Sequence, residues 1–152
     1  MSAAGELAER AERYELTVAV AESLTAGNIA ASLGAEEHSA VWFRGGIVAY
    51  TTEVKQRVLG VPDVPVVSEA AAVAMAKGVR SLMEADLAVG VTGVGGPGPQ
   101  EGEPPGSVWF ALATRRGTVA SHRRFDGGPQ QVVDQTVQHA VELLLAAIEA
   151  PD

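Results

Sequence analysis

Three short apolar runs, rich in valine and alanine, alternate with longer segments of helical periodicity, and this alternation restricts the fold more than any other feature. The runs cover residues 16–22, 45–50 and 86–92. Apolar runs of this length that are bounded by turn signals are typical of buried strands. Because strands that alternate with helices usually form a sheet covered by helices on both faces, the chain is predicted to be an α/β protein.

Helical periodicity and turn residues place the remaining elements. Helices are predicted at residues 5–14, 23–34, 52–59, 68–85 and 129–147. Residues 107–114 and 118–125 are expected to form a β-hairpin that turns at Arg116 and Gly117. The order α-β-α-β-α-α-β-β-β-α predicts a three-layer α/β/α sandwich with a mixed sheet. Since neither a repeat nor a linker interrupts residues 1–152, we expect a single domain.

The charge and the cysteine content exclude several classes of function. The net charge is −8 and no Lys/Arg cluster exceeds a pair, whereas a nucleic-acid binder usually presents a basic face. The absence of cysteine excludes thiol catalysis, disulfides and cysteine-based zinc sites. The first residues are charged and lack the apolar segment of a signal peptide, and no apolar run has the length of a membrane span. We therefore expect a cytoplasmic protein that binds neither nucleic acid nor membrane.

Nothing in the sequence predicts a metal site or a bound cofactor. The histidines, His38, His122 and His139, are expected in a loop, a strand and a helix, where each is a surface or packing residue. The carboxylates are scattered, and no pair has the spacing of metal ligands.

The ends of the first two predicted strands carry polar residues, and ligands of open α/β sheets collect at such ends. Ser23 follows the first strand, where free backbone N–H groups at a helix start could stabilise an oxyanion or hold a phosphate. Alternatively, Ser23 or Thr25 only caps the helix. Tyr50 ends the second strand, and Lys55 lies one turn into the next helix. A buried lysine that loses its charge can act as a general base, although a surface lysine beside a half-buried tyrosine is the alternative.

The third strand end opens a glycine-rich loop that starts at Thr92. Four prolines and six glycines occur in the fourteen residues of 93–106. Such a loop allows the backbone to approach a ligand closely, but it matches neither the P-loop nor the dinucleotide fingerprint. A simple turn-rich loop is the alternative interpretation.

Four segments, taken together, resemble a known family. AESLTAGNIAASL, WFRGGIVAYTTEVKQRVLGV, VSEAAAVAMAKGV and DLAVGVTGVGGPGPQEGEPPGSVWFALA are similar to motifs of the carboxy-terminal domain of the competence/damage-inducible protein CinA, and they occur in the family order. The similarity covers about residues 5–150. Stand-alone members of this family are nicotinamide-nucleotide amidohydrolases, also called PncC or NMN deamidases.

The resemblance implies a reaction and a set of site residues. The expected reaction converts nicotinamide mononucleotide (NMN) and water to nicotinate mononucleotide and ammonia, in pyridine-nucleotide salvage and without a metal or cofactor. Ser23 matches the nucleophile, and Tyr50 and Lys55 match the relay and the base. We expect a homo-oligomer. The residues expected to bind the nucleotide are Thr25, Gly27, Gly45, Gly46, Thr92, Gly93, Gly95 and Gly96.

One stretch departs from the family pattern. Where relatives carry two arginines in a G-D-R-x-x-V-R pattern near the start of the last helix, this chain has Pro129 and Val133. Two rival hypotheses therefore stay open: a catalytically weakened nucleotide-binding module, and an amidase that acts on another small amide.

Overall fold

The computed structural model describes residues 1–149, in which helices and strands alternate as the sequence predicts. The elements are α1 (Ala3–Arg13), β1 (Val18–Glu22), α2 (Asn28–Gly34), α3 (Ser39–Trp42), β2 (Phe43–Val48), α4 (Thr52–Leu59), α5 (Glu69–Met83), β3 (Leu87–Gly93), β4 (Ser107–Thr114), β5 (Gly117–Arg124) and α6 (Pro129–Glu149). None of the helices within these residues is long and apolar enough to cross a membrane.

The strands form one mixed sheet in the order β2-β1-β3-β4-β5. β1 pairs in parallel with both β2 and β3, whereas β3–β4 and β4–β5 are antiparallel. Because β2, β1 and β3 run in the same direction, their carboxyl ends meet at one edge of the sheet, and the three segments singled out in the sequence follow these ends.

Helices cover both faces of the sheet, because alternate side chains of each strand point to opposite sides. Val18 and Val20 of β1 belong to a core cluster with residues of α1, α2 and α6. Ala19 and Ala21 point the other way and pack with residues of α4 and α5. Gly90 of β3 permits close contact with α5, since a Cβ there would lie 2.7 Å from the backbone nitrogen of Ala76. The predicted three-layer α/β/α sandwich is confirmed.

Most boundaries lie within two residues of the prediction, and β2 ends at Val48, so Tyr50 follows this strand instead of ending it. The start of α2 differs most. α2 begins at Asn28 instead of residue 23, because Ala26 and Gly27 adopt left-handed backbone conformations, with φ of 47° and 98°, that cannot continue a right-handed helix. The short helix α3 was not predicted. Its single turn buries Trp42 and leads directly into β2, which starts two residues earlier than expected, at Phe43.

Candidate active site

A cleft of about 510 Å³ opens at the carboxyl ends of β1 and β3 and contains the residues predicted to be catalytic. Cavities of this size hold small-molecule ligands. The residues that line it are Ser23, Leu24, Tyr50, Thr51, Thr52, Lys55, Val66, Val67, Thr92, Gly93, Val94, Gly95, Gly96, Gly98, Pro99, Gln100, Pro129 and Val133.

Ser23 lies directly after β1 in a tight turn that aims the chain toward α2. The backbone N–H of Ala26 donates to the Ser23 carbonyl at 3.0 Å, and that of Asn28 donates to the Thr25 carbonyl at 2.9 Å. Leu24 also lines the cleft, and its N–H has no hydrogen-bond partner among the described residues. Ser23 itself is 8% exposed and lines the cleft.

The start of α2 is capped by Glu22, which corrects the interpretation that Ser23 or Thr25 caps this helix. The Glu22 carboxylate is fully buried and accepts hydrogen bonds from the N–H groups of Ile29 and Ala30, both at 2.9 Å. These donors are therefore occupied and do not face a ligand. Since Ser23 is not needed as a cap, its hydroxyl remains available for chemistry.

Lys55 is buried at the floor of the cleft, with 2% of its surface exposed. It lies on α4, whose first turn is capped by the Thr51 hydroxyl, which accepts from the N–H of Val54 at 3.3 Å. Its Nζ donates to the backbone carbonyl of Tyr50 at 3.2 Å. Burial lowers the pKa of the Lys55 ammonium, because removal from water penalises the charged form, and the Glu101 carboxylate partly opposes this by raising it. Burial therefore shifts Lys55 toward the neutral amine that a general base requires.

Tyr50 lines the cleft but is 65% exposed, which makes it the least fixed of the three predicted catalytic side chains. Within the described residues, no hydrogen bond of 3.5 Å or less joins the Ser23 hydroxyl, the Tyr50 hydroxyl and the Lys55 amine. Such contacts are often long in a ligand-free site and shorten when the substrate binds.

The glycine-rich loop after β3 forms the wall of the cleft opposite Tyr50. Thr92, near the end of β3, is buried, and its hydroxyl donates to the Val66 carbonyl at 2.6 Å, so this side chain joins β3 to the loop before α5. The N–H of Val94 is bonded to Ser107, whereas those of Gly95 and Gly96 make no hydrogen bond with the described residues. Gly95 and Gly96 line the cleft, as Gly98 does, so their N–H groups are candidate donors to a ligand.

Four of the predicted substrate-binding residues lie outside the lining of this cleft. Thr25 is fully buried, and its hydroxyl finds no hydrogen-bond partner within residues 1–149. Gly27 precedes α2 with a left-handed backbone. Gly45 and Gly46 lie on β2, where a Cβ on Gly46 would come within 2.6 Å of Val20 Cγ2. The observed role of Gly46 is thus close packing of β2 against β1.

Pro129 and Val133, at the start of α6, line the cleft at the two positions where the family pattern has arginine. The apolar periodicity of the last helix, Val133, Val137, Ala140, Val141, Leu144 and Ile148, predicts a core position for Val133. The buried residue of this turn is instead its neighbour Val132. As a result, Lys55 is the one charged side chain among the described residues that line the cleft.

Elsewhere in residues 1–149, the Ser107 hydroxyl and His122 Nε2 lie 2.7 Å apart on β4 and β5, and neither residue lines the cleft. No group of three His, Asp or Glu side chains within residues 1–149 is placed to hold a metal ion. A wider groove of about 790 Å³ lies between α5 and the β4–β5 hairpin and contains none of the predicted site residues.

Comparison with known proteins identifies the family to which the chain is similar. A family model described as the CinA C-terminal domain matches residues 1–148. The nicotinamide-nucleotide amidohydrolase PncC of Pseudomonas putida is 37% identical over 145 residues, which cover 91% of each chain. A CinA-like protein of Frankia casuarinae is 41% identical over 133 residues, which cover 84% of this chain and 31% of that protein. The chain spans about a third of the length of the competence-damage inducible relatives that it matches.

Solved structures agree with the sequence comparison. The competence damage-inducible protein A of Klebsiella pneumoniae has a TM-score of 0.95 at 33% identity, with 99% of this chain and 97% of that chain covered. A competence/damage inducible protein of Agrobacterium tumefaciens has a TM-score of 0.88 at 33% identity, with 99% and 98% covered. The chain therefore belongs to the CinA C-terminal domain family.

Proposed function

We propose that this protein hydrolyses the carboxamide of NMN to give nicotinate mononucleotide and ammonia. The observation that carries the proposal is the presence of a serine hydroxyl and a buried lysine in one cleft, Ser23 after β1 and Lys55 on α4. A relative that covers 91% of this chain at 37% identity and is named for this reaction supports the choice of substrate.

The first step is attack of Ser23 on the carboxamide carbon. The neutral amine of Lys55 takes the hydroxyl proton, directly or through the Tyr50 hydroxyl, while the new C–O bond forms. The carbonyl π electrons move to oxygen and form a tetrahedral oxyanion. Backbone N–H groups of Leu24, Gly95 and Gly96 are the uncommitted donors in the cleft wall that can stabilise this charge.

The second step releases ammonia and leaves an acyl-enzyme. The Lys55 ammonium returns its proton to the departing nitrogen as the C–N bond breaks. Water then attacks the ester of Ser23, again with Lys55 as the base, and nicotinate mononucleotide leaves. The overall reaction consumes one amide and one water, and it releases one acid and one ammonia.

The walls of the cleft suit a flat aromatic ring attached to a polar sugar. Val66, Val67 and Val94 line the cleft and pack together as a buried apolar cluster, whereas the glycine-rich loop contributes backbone groups. The phosphate meets no arginine at Pro129 or Val133, so neutral donors must hold it. Uncharged donors lack the opposite charge and the bidentate geometry with which arginine binds phosphate, so we expect a higher KM than in arginine-bearing relatives.

A nucleotide-binding module without activity is the second candidate, and the uncharged pair Pro129 and Val133 is the observation that favours it. Ammonia release separates the two. Purified protein is incubated with NMN, nicotinamide riboside and nicotinamide side by side, and ammonia is measured over time. Release from NMN supports the proposal. NMN binding without ammonia release would favour the binding module, and release from another amide alone would identify a different amidase.

A further inference from the structure

Glu101 lies at the tip of the glycine-rich loop in a conformation that a non-glycine residue rarely adopts. The loop folds back on itself at residues 100–103, where Gln100 and Glu103 exchange backbone hydrogen bonds of 3.0 and 2.8 Å. Glu101 and Gly102 at the turn both have left-handed backbones, with φ of 52° and 78°. Left-handed backbone is disfavoured for a glutamate, so contacts of its side chain must compensate.

The Glu101 side chain makes such contacts with the neighbouring loop. Its carboxylate accepts from the backbone N–H of Val67 at 2.9 Å and from that of Val66 at 3.2 Å. Val66 is also held from the side of the sheet, because its carbonyl accepts from the Thr92 hydroxyl at 2.6 Å. The segment 66–67 is thus fixed at both its N–H and its carbonyl groups.

This contact joins two walls of the cleft beside the proposed base. Val66 and Val67 form one wall and Gln100 belongs to the other. Glu101 is the charged group that acts on Lys55, since its carboxylate favours the ammonium form. Glu53 and Arg57, on the same helix as Lys55, pair with each other at 3.1 Å on the surface.

Glu22, which precedes Ser23, also carries a carboxylate, but this group already accepts hydrogen bonds from two N–H groups of α2.

Building on the Ser23–Lys55 chemistry proposed above, we propose that Glu101 is a positioning residue. Its carboxylate holds together the two loops that wall the cleft and serves as the counter-charge of Lys55. It keeps segment 66–67 ordered against the substrate ring. It also gives the ammonium formed during each proton transfer a nearby negative charge.

The test uses substrate-free NMR of the full chain. The sequence has two lysines, Lys55 and Lys77, so ¹³C-lysine labelling gives two titrating signals that a Lys77→Arg variant assigns. Glu101→Gln removes the negative charge of Glu101, and Glu101→Asp keeps that charge on a shorter side chain. Glu103→Gln removes a charge from the same turn but leaves the hydrogen bonds of Glu101 to Val66 and Val67 in place. We expect the pKa of Lys55 to fall in Glu101→Gln and to stay near the wild-type value in Glu103→Gln.

Amide hydrogen exchange independently measures the hydrogen bonds that Val66 and Val67 donate to the Glu101 carboxylate. The N–H groups of Val66 and Val67 should exchange faster in both Glu101 variants and at the wild-type rate in Glu103→Gln. Equal Lys55 titration in the two glutamine variants, or unchanged exchange at both valines, would overturn the proposal. Neither measurement needs turnover. A wild type that releases no ammonia would therefore refute the proposed function, while the titration and exchange data would still test the role of Glu101.

Where the wild type is active, the pH dependence of kcat/KM gives a third readout. The acidic limb should move to lower pH in Glu101→Gln, because less alkaline conditions then suffice to deprotonate Lys55. An acidic limb that stays in place would contradict the electrostatic part of the proposal.

Discussion

Replacing Val133 with arginine should improve the use of NMN by restoring a cation at the mouth of the cleft. Val133 is half-buried in the first turns of α6 and lines the cleft, so a longer side chain from this position can extend into it. The position is one of the two where the family pattern has arginine. Because Lys55 is the one charged group among the described lining residues, the new guanidinium would be the only cation free to bind the phosphate.

The size of the gain follows from two opposing contributions. A hydrogen bond to a charged group contributes a net of about 1.5–3 kcal/mol. Ordering an arginine side chain costs up to about 2 kcal/mol of rotamer entropy. With the full entropy cost the net gain is at most about 1 kcal/mol, which corresponds to an increase in kcat/KM of up to about fivefold, given that 1.4 kcal/mol is a factor of ten.

Steady-state ammonia release with NMN and with nicotinamide riboside, in parallel, measures this effect. The gain should be confined to NMN, since the riboside has no phosphate. Val133→Gln is the matched control, because it adds length and polarity without charge and should gain less. An equal gain with both substrates, or none with either, would refute the assignment of this position to the phosphate.

Two further predictions concern the base and the sheet. Lys55→Arg should abolish activity, because guanidinium does not lose its proton in the accessible pH range. Wild-type activity should rise with pH as Lys55 deprotonates, with a midpoint below the ordinary lysine value of 10.5, because burial lowers the pKa; an active Lys55→Arg enzyme would exclude Lys55 as the base. Gly46→Ala should destabilise the fold by about 1–3 kcal/mol, because the added Cβ would meet Val20 at 2.6 Å. Thermal unfolding measures this against Gly34→Ala, where nothing lies within 4 Å and no loss is expected; equal melting temperatures would contradict the packing role.

Local sequence signals predicted the elements whose ends are fixed by nearby residues. α4 spans Thr52–Leu59 as predicted. α5 starts within one residue of the predicted position, where the Ser68 hydroxyl caps it by accepting from the N–H of Ala71 at 3.2 Å. The β4–β5 hairpin also forms at the predicted place. In each case the residues that predict the end of the element lie within a few positions of that end.

Features that depend on distant contacts were not predictable in this way. Glu101 contacts Val66 and Val67 across 35 and 34 residues, respectively, and no local pattern indicates such contacts. The sequence places Glu22 at the end of a strand. Its capping role depends on the turn after β1, which brings the start of α2 within hydrogen-bond distance of its carboxylate. Val133 fits a helical core stripe, but whether that stripe faces the sheet or the cleft depends on how α6 is rotated.

Several expectations from the sequence stay predictions. They include a single domain over residues 1–152, a homo-oligomeric assembly, a cytoplasmic location and the roles of Thr25, Gly27, Gly45 and Gly46 in substrate binding.

The most direct test of the account is the rate of ammonia release from NMN by Ser23→Ala at matched protein concentration. The hydroxyl is small and does not cap α2, so the variant should fold like the wild type, which circular dichroism checks. Loss of a covalent nucleophile typically lowers the rate by several orders of magnitude, about a thousandfold or more. Ser121→Ala, a serine on β5 away from the cleft, should keep wild-type activity. If Ser23→Ala retained more than about a tenth of the wild-type rate, Ser23 would not be the nucleophile and the central claim would fail.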